Sequence, residues 1–184
     1  SFNSILLWEF DEGLGRGVAR DQYDKIHPVP FAEYLPEREF FYPLWPELFS
    51  MIPRDYSIGQ RDTVFEVAGA TAGIAICFDI VDDAIVWAMM DEGAVIIFAP
   101  TNNADFGRTD QSVQQLAIAR MRAIETGRSV VNISTVETSA VMDPTGATLD
   151  RLPTYTEGYL LLDVPLAQHT TPATWIKRNL EVLV

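Results

Sequence analysis

Apolar positions along the chain switch between two periods. Short runs of four to eight residues have the period or continuity of strands, and longer stretches repeat at helical spacing. That mixture predicts a layered α/β (α+β) domain. Residues 5–10 form an apolar run, residues 11–17 a glycine-rich turn, and residues 18–23 the returning strand of a hairpin. Prolines and aromatics then crowd residues 28–53, which excludes one long helix there and leaves room for a short one from about Glu37. Residues 64–67 and 73–77 read as strands around the small-residue turn 68–70, and residues 82–90 as a helix that stops at Gly93. Residues 94–99 and 129–133 are continuous apolar runs of the kind buried on both faces. Between them a helix is predicted from a cap at Asp110 through Glu125, with Val113, Leu116, Ala117, Met121 and Ile124 along one face. Asp143-Pro144-Thr145-Gly146 fits a type I turn joining residues 139–142 to 147–149, and residues 159–164 read as a last strand.

With 184 residues and neither repeats nor a linker, the chain fits one domain spanning 1–184, with a tail from about 167 whose structure the pattern leaves open. Residues 175–184 are compatible with a short helix. The net charge of −13 and the lack of any Lys/Arg cluster argue against nucleic acid. No apolar run approaches the roughly 18–20 residues that span a bilayer, and residues 1–5 lack the pattern of a signal peptide, so the chain as given is expected to be soluble. One cysteine excludes an internal disulfide, and with two distant histidines it argues against a metal site. Gly13-Leu14-Gly15-Arg16-Gly17 has neither the spacing nor the context of a phosphate loop. No cofactor is implied.

Chemistry centres on Cys77, which a small apolar strand delivers just before a helical segment. Sites gather at such strand ends, and a helix dipole favours a thiolate. The plain alternative is a free cysteine packed as a small hydrophobe. A thiolate nucleophile needs a cation or base nearby. Tyr23-Asp24-Lys25-Ile26-His27-Pro28 carries a lysine and a histidine, although nothing in the spacing alone brings Lys25 to Cys77. Arg120, Arg122 and Arg128 read as helix-surface and helix-end charges, and His169 has no functional reading.

Four blocks follow in order: YDKIHPVPFAEYLPE, AGIAICFDI, APTNNADFG and QQLAIARMRAIETGRSVVNIST. Together they resemble the nitrilase superfamily and, within it, the extracytoplasmic domain of the apolipoprotein N-acyltransferase family. The resemblance runs from about residue 3 to residue 166. It implies a four-layer αββα sandwich, here incomplete at the N-terminus, and a Glu-Lys-Cys triad in which Cys77 is the nucleophile and Lys25 the lysine. Glu33 matches a second glutamate used beside the triad. Phe78 and Asp79 follow the nucleophile on the substrate side, where the family usually has an aromatic and a glutamate; aspartate is one methylene shorter. Asn102, Asn103 and Asp105 match a substrate-facing loop.

The resemblance places the general-base glutamate upstream of the lysine block, before the first residue of this sequence, and neither Glu9 nor Glu12 is assigned that role. The isolated chain is accordingly expected to be inactive, while the parent enzyme would carry acyl groups through a Cys77 thioester. The implied partners are a phospholipid acyl donor and a lipoprotein N-terminus. The implied location is the inner membrane, with this domain on its extracytoplasmic side. Residues 28–53 would serve as a lid meeting lipid through Phe40, Phe41, Tyr42, Leu44, Trp45, Leu48 and Phe49. Two other readings stay open: a nitrilase-type amidase, and a non-catalytic scaffold or binding fragment. Unpaired sheet edges would also leave room for association between copies of the chain.

Overall fold

The computed structural model describes residues 1–104 and 109–180. The chain divides into two compact units, Ser1–Asp62 and Thr63–Val184.

The first unit opens with the expected hairpin. Strands β1 (Ser4–Asp11) and β2 (Arg16–Asp24) pair antiparallel, with a register shift between Leu7 and Trp8. Most of the hairpin is exposed, Trp8 and Phe10 included, and burial concentrates at its end, on Tyr23, Asp24 and Lys25. The proline-rich stretch breaks into short helices: α1 (Arg38–Phe41), a 3-10 turn (Tyr42–Leu44) and α2 (Pro46–Phe49). Prolines at helix starts explain the interruptions, since a proline lacks the N–H that an interior position must donate.

The second unit is a six-stranded mixed sheet in the order β3-β4-β5-β6-β7-β8. β4 (Ala70–Ile74), β5 (Ile96–Thr101) and β6 (Ser129–Ser134) are parallel neighbours, and β3 (Val64–Val67), β7 (Ser139–Met142) and β8 (Thr148–Leu152) join antiparallel. Helix α3 (Asp83–Asp91) connects β4 to β5, and α4 (Gln111–Thr126) connects β5 to β6. Two-residue alternation sends Ile97, Ala99 and Val130, all fully buried, to one face of the sheet. Phe98 and Val131 point to the other and, with Val164, pack against the cluster of Ala72, Val95 and Ile96. The Asp143 turn forms as predicted: its carboxylate accepts from the N–H of Thr145 (2.8 Å) and of Ala147 (3.0 Å). Among the described residues no helix is long and apolar enough to cross a membrane.

Several sequence expectations need correction. Strand β4 runs from Ala70 to Ile74, so Cys77 lies beyond the strand. The side chain of Asp110 makes no capping hydrogen bond. Residues 159–164 alternate in exposure as a strand does, with Tyr159 and Leu161 outward, but belong to no strand ladder. By contrast, the tail forms the short helix that its sequence allows, α5 (Pro172–Leu180).

Helix α4 is turned opposite to its apolar stripe. Val113, Met121 and Ile124 are 65%, 60% and 46% exposed, whereas Ser112, Ala119, Arg122, Ala123 and Thr126 are buried. Small side chains let the helix approach the sheet closely, and Arg122 on that face donates to the carbonyls of Ile80 and Val81. Arg128, expected as a helix-end charge, is also buried. Its guanidinium donates to the carbonyls of Ala94 (2.7 Å), Thr126 (3.1 Å) and His169 (2.8 Å), tying the start of β5 to the segment before α5. Burial holds its pKa below the ordinary arginine value.

Candidate active site

In the first unit, the end of β2 delivers Lys25 with its backbone fixed on both sides. Its N–H donates to Asn3 (2.8 Å) and its carbonyl accepts from Gly59 (2.9 Å). The side chain is 1% exposed and ends on Glu33, with Nζ 2.5 Å from Oε2. Glu33 reaches it from a tight turn in which Phe31 is left-handed (φ 61°) and the Glu33 N–H donates to Val29 O. The same carboxylate accepts from Val29 N–H (2.8 Å) and from Asn3 Nδ2 (3.0 Å). Burial pushes the Glu33 carboxyl up, but the hydrogen bonds from Lys25, Val29 and Asn3 and the charge of Lys25 outweigh it and leave the pKa below the ordinary value. The unit thus presents a dehydrated ammonium held by one carboxylate. Asn3, which orients both partners, carried no signal in the sequence, because an isolated asparagine is by default a turn residue.

In the second unit, the chain leaves β4 through Ala75, whose N–H donates to Phe98 O (2.9 Å). Cys77 then adopts a left-handed conformation (φ 54°) and opens a 3-10 turn, Cys77–Val81. For a residue with a Cβ this region costs on the order of 1–3 kcal/mol, and it persists only where surrounding contacts impose it. Cys77 as a residue is half-buried. Asp79 is fully buried, and its carboxylate accepts from the Ile76 N–H (3.1 Å), which closes the turn from within. Helix α3 begins only at Asp83, and Asp82 already caps it by accepting from Ala84 (2.7 Å). The helix expected over residues 82–90 is therefore present, and the 3-10 turn fills the interval between the thiol and its start.

Phe78, beside Cys77, is 37% exposed, whereas Asn103 is buried past the end of β5. Asn103 accepts from Thr101 Oγ1 (2.9 Å) and donates to Ser134 Oγ (3.3 Å), bridging the ends of β5 and β6. Asn102 accepts from Thr135 Oγ1 (2.8 Å). Asp105 lies outside the described residues. Two α4 side chains reach the Cys77 turn: Gln115 Nε2 donates to Cys77 O (3.1 Å), and Arg122 donates to Ile80 O (2.9 Å) and Val81 O (2.6 Å). Sequence reasoning missed Gln115 and placed Arg122 on the surface, since neither spacing nor charge identifies a carbonyl partner distant in the chain. Burial lowers the Arg122 pKa, but its bonds to Glu125 and Asp83 outweigh this and raise it above the ordinary value. Within each unit the predicted residues therefore cluster: Lys25 with Glu33 in the first, and Cys77, Phe78 and Asp79 on one turn in the second.

Known proteins sharpen the assignment. The chain is 34% identical over 174 residues to an apolipoprotein N-acyltransferase of Mycolicibacterium smegmatis, covering 94% of this chain and 28% of that protein. It is 30% identical over 173 residues to an apolipoprotein N-acyltransferase of Vibrio cholerae, covering 93% and 34%. It therefore spans about a third of the length of these relatives. Among solved structures, an amidase from Nesterenkonia sp. AN1, with acrylamide added at its active-site cysteine, superposes with a TM-score of 0.62 at 18% identity, over 90% of this chain and 57% of that one. A nitrilase-superfamily member from Saccharomyces cerevisiae gives 0.55 at 16% identity, over 83% and 55%. The fold is that of the nitrilase superfamily. The carbon-nitrogen hydrolase model matches residues 2–171, and the chain belongs to that family.

Proposed function

We propose that this chain is the cysteine-bearing part of an apolipoprotein N-acyltransferase, and that Cys77 carries the acyl group as a thioester. The observation that carries the reading is the left-handed Cys77 just beyond β4, half-buried and opening a turn. The name shared by the relatives supplies the substrate class. The Cys77 thiolate attacks the carbonyl carbon of a phospholipid acyl ester, and the tetrahedral intermediate collapses with loss of the lysophospholipid oxygen, which takes up the thiol's proton from a general base. The α-amine of a lipoprotein's N-terminal cysteine then attacks the thioester carbonyl and gives up a proton to the general base, and the C–S bond breaks to leave the amide and the Cys77 thiolate. Lys25 serves as the cation for the oxyanion of both intermediates, where a fixed charge in a dry site is worth several kcal/mol. Glu33 holds that ammonium in place. Phe78 and Asn103 border the substrate, and Asp79 acts by holding the turn. The enzyme works at the membrane, with this domain on the extracytoplasmic side. Mass spectrometry of the full-length enzyme incubated with phospholipid should find the acyl mass on the peptide containing Cys77, and Cys77→Ser should lose it. An adduct on another residue, or one that survives the substitution, would sink the reading.

The proline-rich stretch supports a lipid-facing role. Phe41 and Phe49 pack against Phe31, at centroid distances of 5.8 and 6.4 Å. Phe40, Leu44, Trp45 and Leu48 are each at least half exposed, a concentration of apolar surface of the kind that marks interaction sites. Trp45 emission is expected to shift to the blue on adding phosphatidylethanolamine–phosphatidylglycerol vesicles, a change that Trp45→Phe removes. An unchanged spectrum at saturating lipid would count against the lid.

A further inference from the structure

Gln115 and Arg122 lie two helical turns apart on α4 and hence on one face of it. Both are spent on the turn that carries Cys77. Arg122 holds its far end through the carbonyls of Ile80 and Val81, and Gln115 holds its near end through the carbonyl of Cys77 itself. The two contacts differ in what they can control. Arg122 anchors carbonyls three and four residues beyond the thiol. Gln115 acts on the residue whose backbone is left-handed, and fixing that carbonyl fixes the ψ rotation of Cys77. The Gln115 amide Oε1 faces Thr101 Oγ1 at 3.4 Å, beside the shorter bond that this hydroxyl donates to Asn103 (2.9 Å). Its carboxamide must then present the N–H side to Cys77, because Cys77 O can only accept.

We infer that Gln115 is a positioning residue for the nucleophile: its donated hydrogen bond keeps Cys77 in the conformation that aims the thiol. This rests on Cys77 being the reacting group, and it explains why α4 turns a polar face inward while Val113, Met121 and Ile124 stay exposed. Without the bond, Cys77 relaxes toward ordinary backbone geometry and carries Sγ away from its aim. Arg122 keeps the turn attached in the meantime.

Cys77 is the sole cysteine, so its reaction with 2,2′-dipyridyl disulfide reports it alone. The thiolate displaces pyridine-2-thione and forms a mixed disulfide, and the released thione is followed by absorbance. Gln115→Met keeps the length and removes the donor; its reaction is expected to be about tenfold slower, the loss of one hydrogen bond, with the far-UV circular dichroism unchanged. Gln115→Glu supplies the signature that a merely structural role would not give. Protonated at about pH 4 it can still donate to Cys77 O, and ionised at about pH 7 it cannot. Its rate relative to the parent chain should therefore start near one and fall to the Gln115→Met level as pH rises. Arg120→Met, which removes α4 contacts to Gly146 and Thr148 instead, should react as the parent does. A Gln115→Met rate equal to or above that of the parent, or a flat Gln115→Glu ratio, overturns the assignment. An acyl adduct missing from Cys77 in the full-length enzyme would fail the acyltransferase reading while leaving this result standing.

Discussion

Replacing Glu33 with alanine should destabilise the first unit by about 3 kcal/mol and abolish any activity that depends on Lys25. The lysine is 1% exposed, and Glu33 is the carboxylate on its ammonium. Removing one member of a buried pair costs more than the pair contributes, because the other charge stays buried without compensation. Glu33 retains 18% exposure, so water can reach the vacated place, which keeps the effect at the lower end of the range for buried pairs. Glu33→Gln should lose less, because an amide oxygen still accepts from Lys25, and the difference between the two variants isolates the charge. Hydrogen exchange at the amides of residues 23–25 reads the loss locally.

The acid response follows from the same site. Glu33 and Asp24 both have depressed pKa values. For Asp24, burial pushes upward and is outweighed by the bonds from Ser4, Gln22 and Arg61. A carboxyl depressed in the folded state stabilises above its unfolded value and loses that contribution as pH falls through the folded one. Protection of residues 23–25 should therefore be level down to the ordinary glutamate value of 4.5 and decline below it. Unchanged protection in Glu33→Ala would show that the pair does not hold this end of the hairpin.

Gly59→Ala should be nearly as damaging, at about 3 kcal/mol, the upper part of the usual overpacking range. A Cβ at Gly59 would stand 2.0 Å from Asp24 O and 2.6 Å from Asp24 C. Those are backbone atoms, so no side-chain rotation relieves the clash. The chain must move apart, which breaks the Gly59 N–H bond to Lys25 O and loosens the residue that Glu33 secures from the other side. In full-length enzyme, Gly59→Ala should lower turnover although the glycine has no side chain to offer any substrate. A variant with parental hydrogen exchange and parental turnover would mean that the close approach is not required.

Much of this architecture is legible in the residues, and the illegible remainder has physical causes. The hairpin, the buried parallel strands and the Asp143 turn rest on local signals: alternation, apolar runs, and an aspartate that closes its own turn. Helix α4 was legible as a helix but not in its orientation. Periodicity locates the apolar stripe, whereas burial depends on what the sheet and the Cys77 turn require of the opposite side. Lys25 and Glu33 are eight residues apart, and the tight turn around Phe31 that joins them depends on a left-handed residue no pattern announces. Arg122 and Arg128 look like surface charges because the partners that bury them include backbone carbonyls, which every residue has.

The turn that carries Cys77 is made of early residues held by late ones. Gln115 lies 38 positions after Cys77, and Arg122 lies 42 after Ile80. At roughly 5–20 residues per second of synthesis, the thiol leaves the ribosome some seconds before the helix that sets its backbone. During that interval nothing from α4 holds Cys77 in its left-handed conformation. Until α4 docks, the turn therefore lacks the Gln115 and Arg122 bonds that hold its carbonyls.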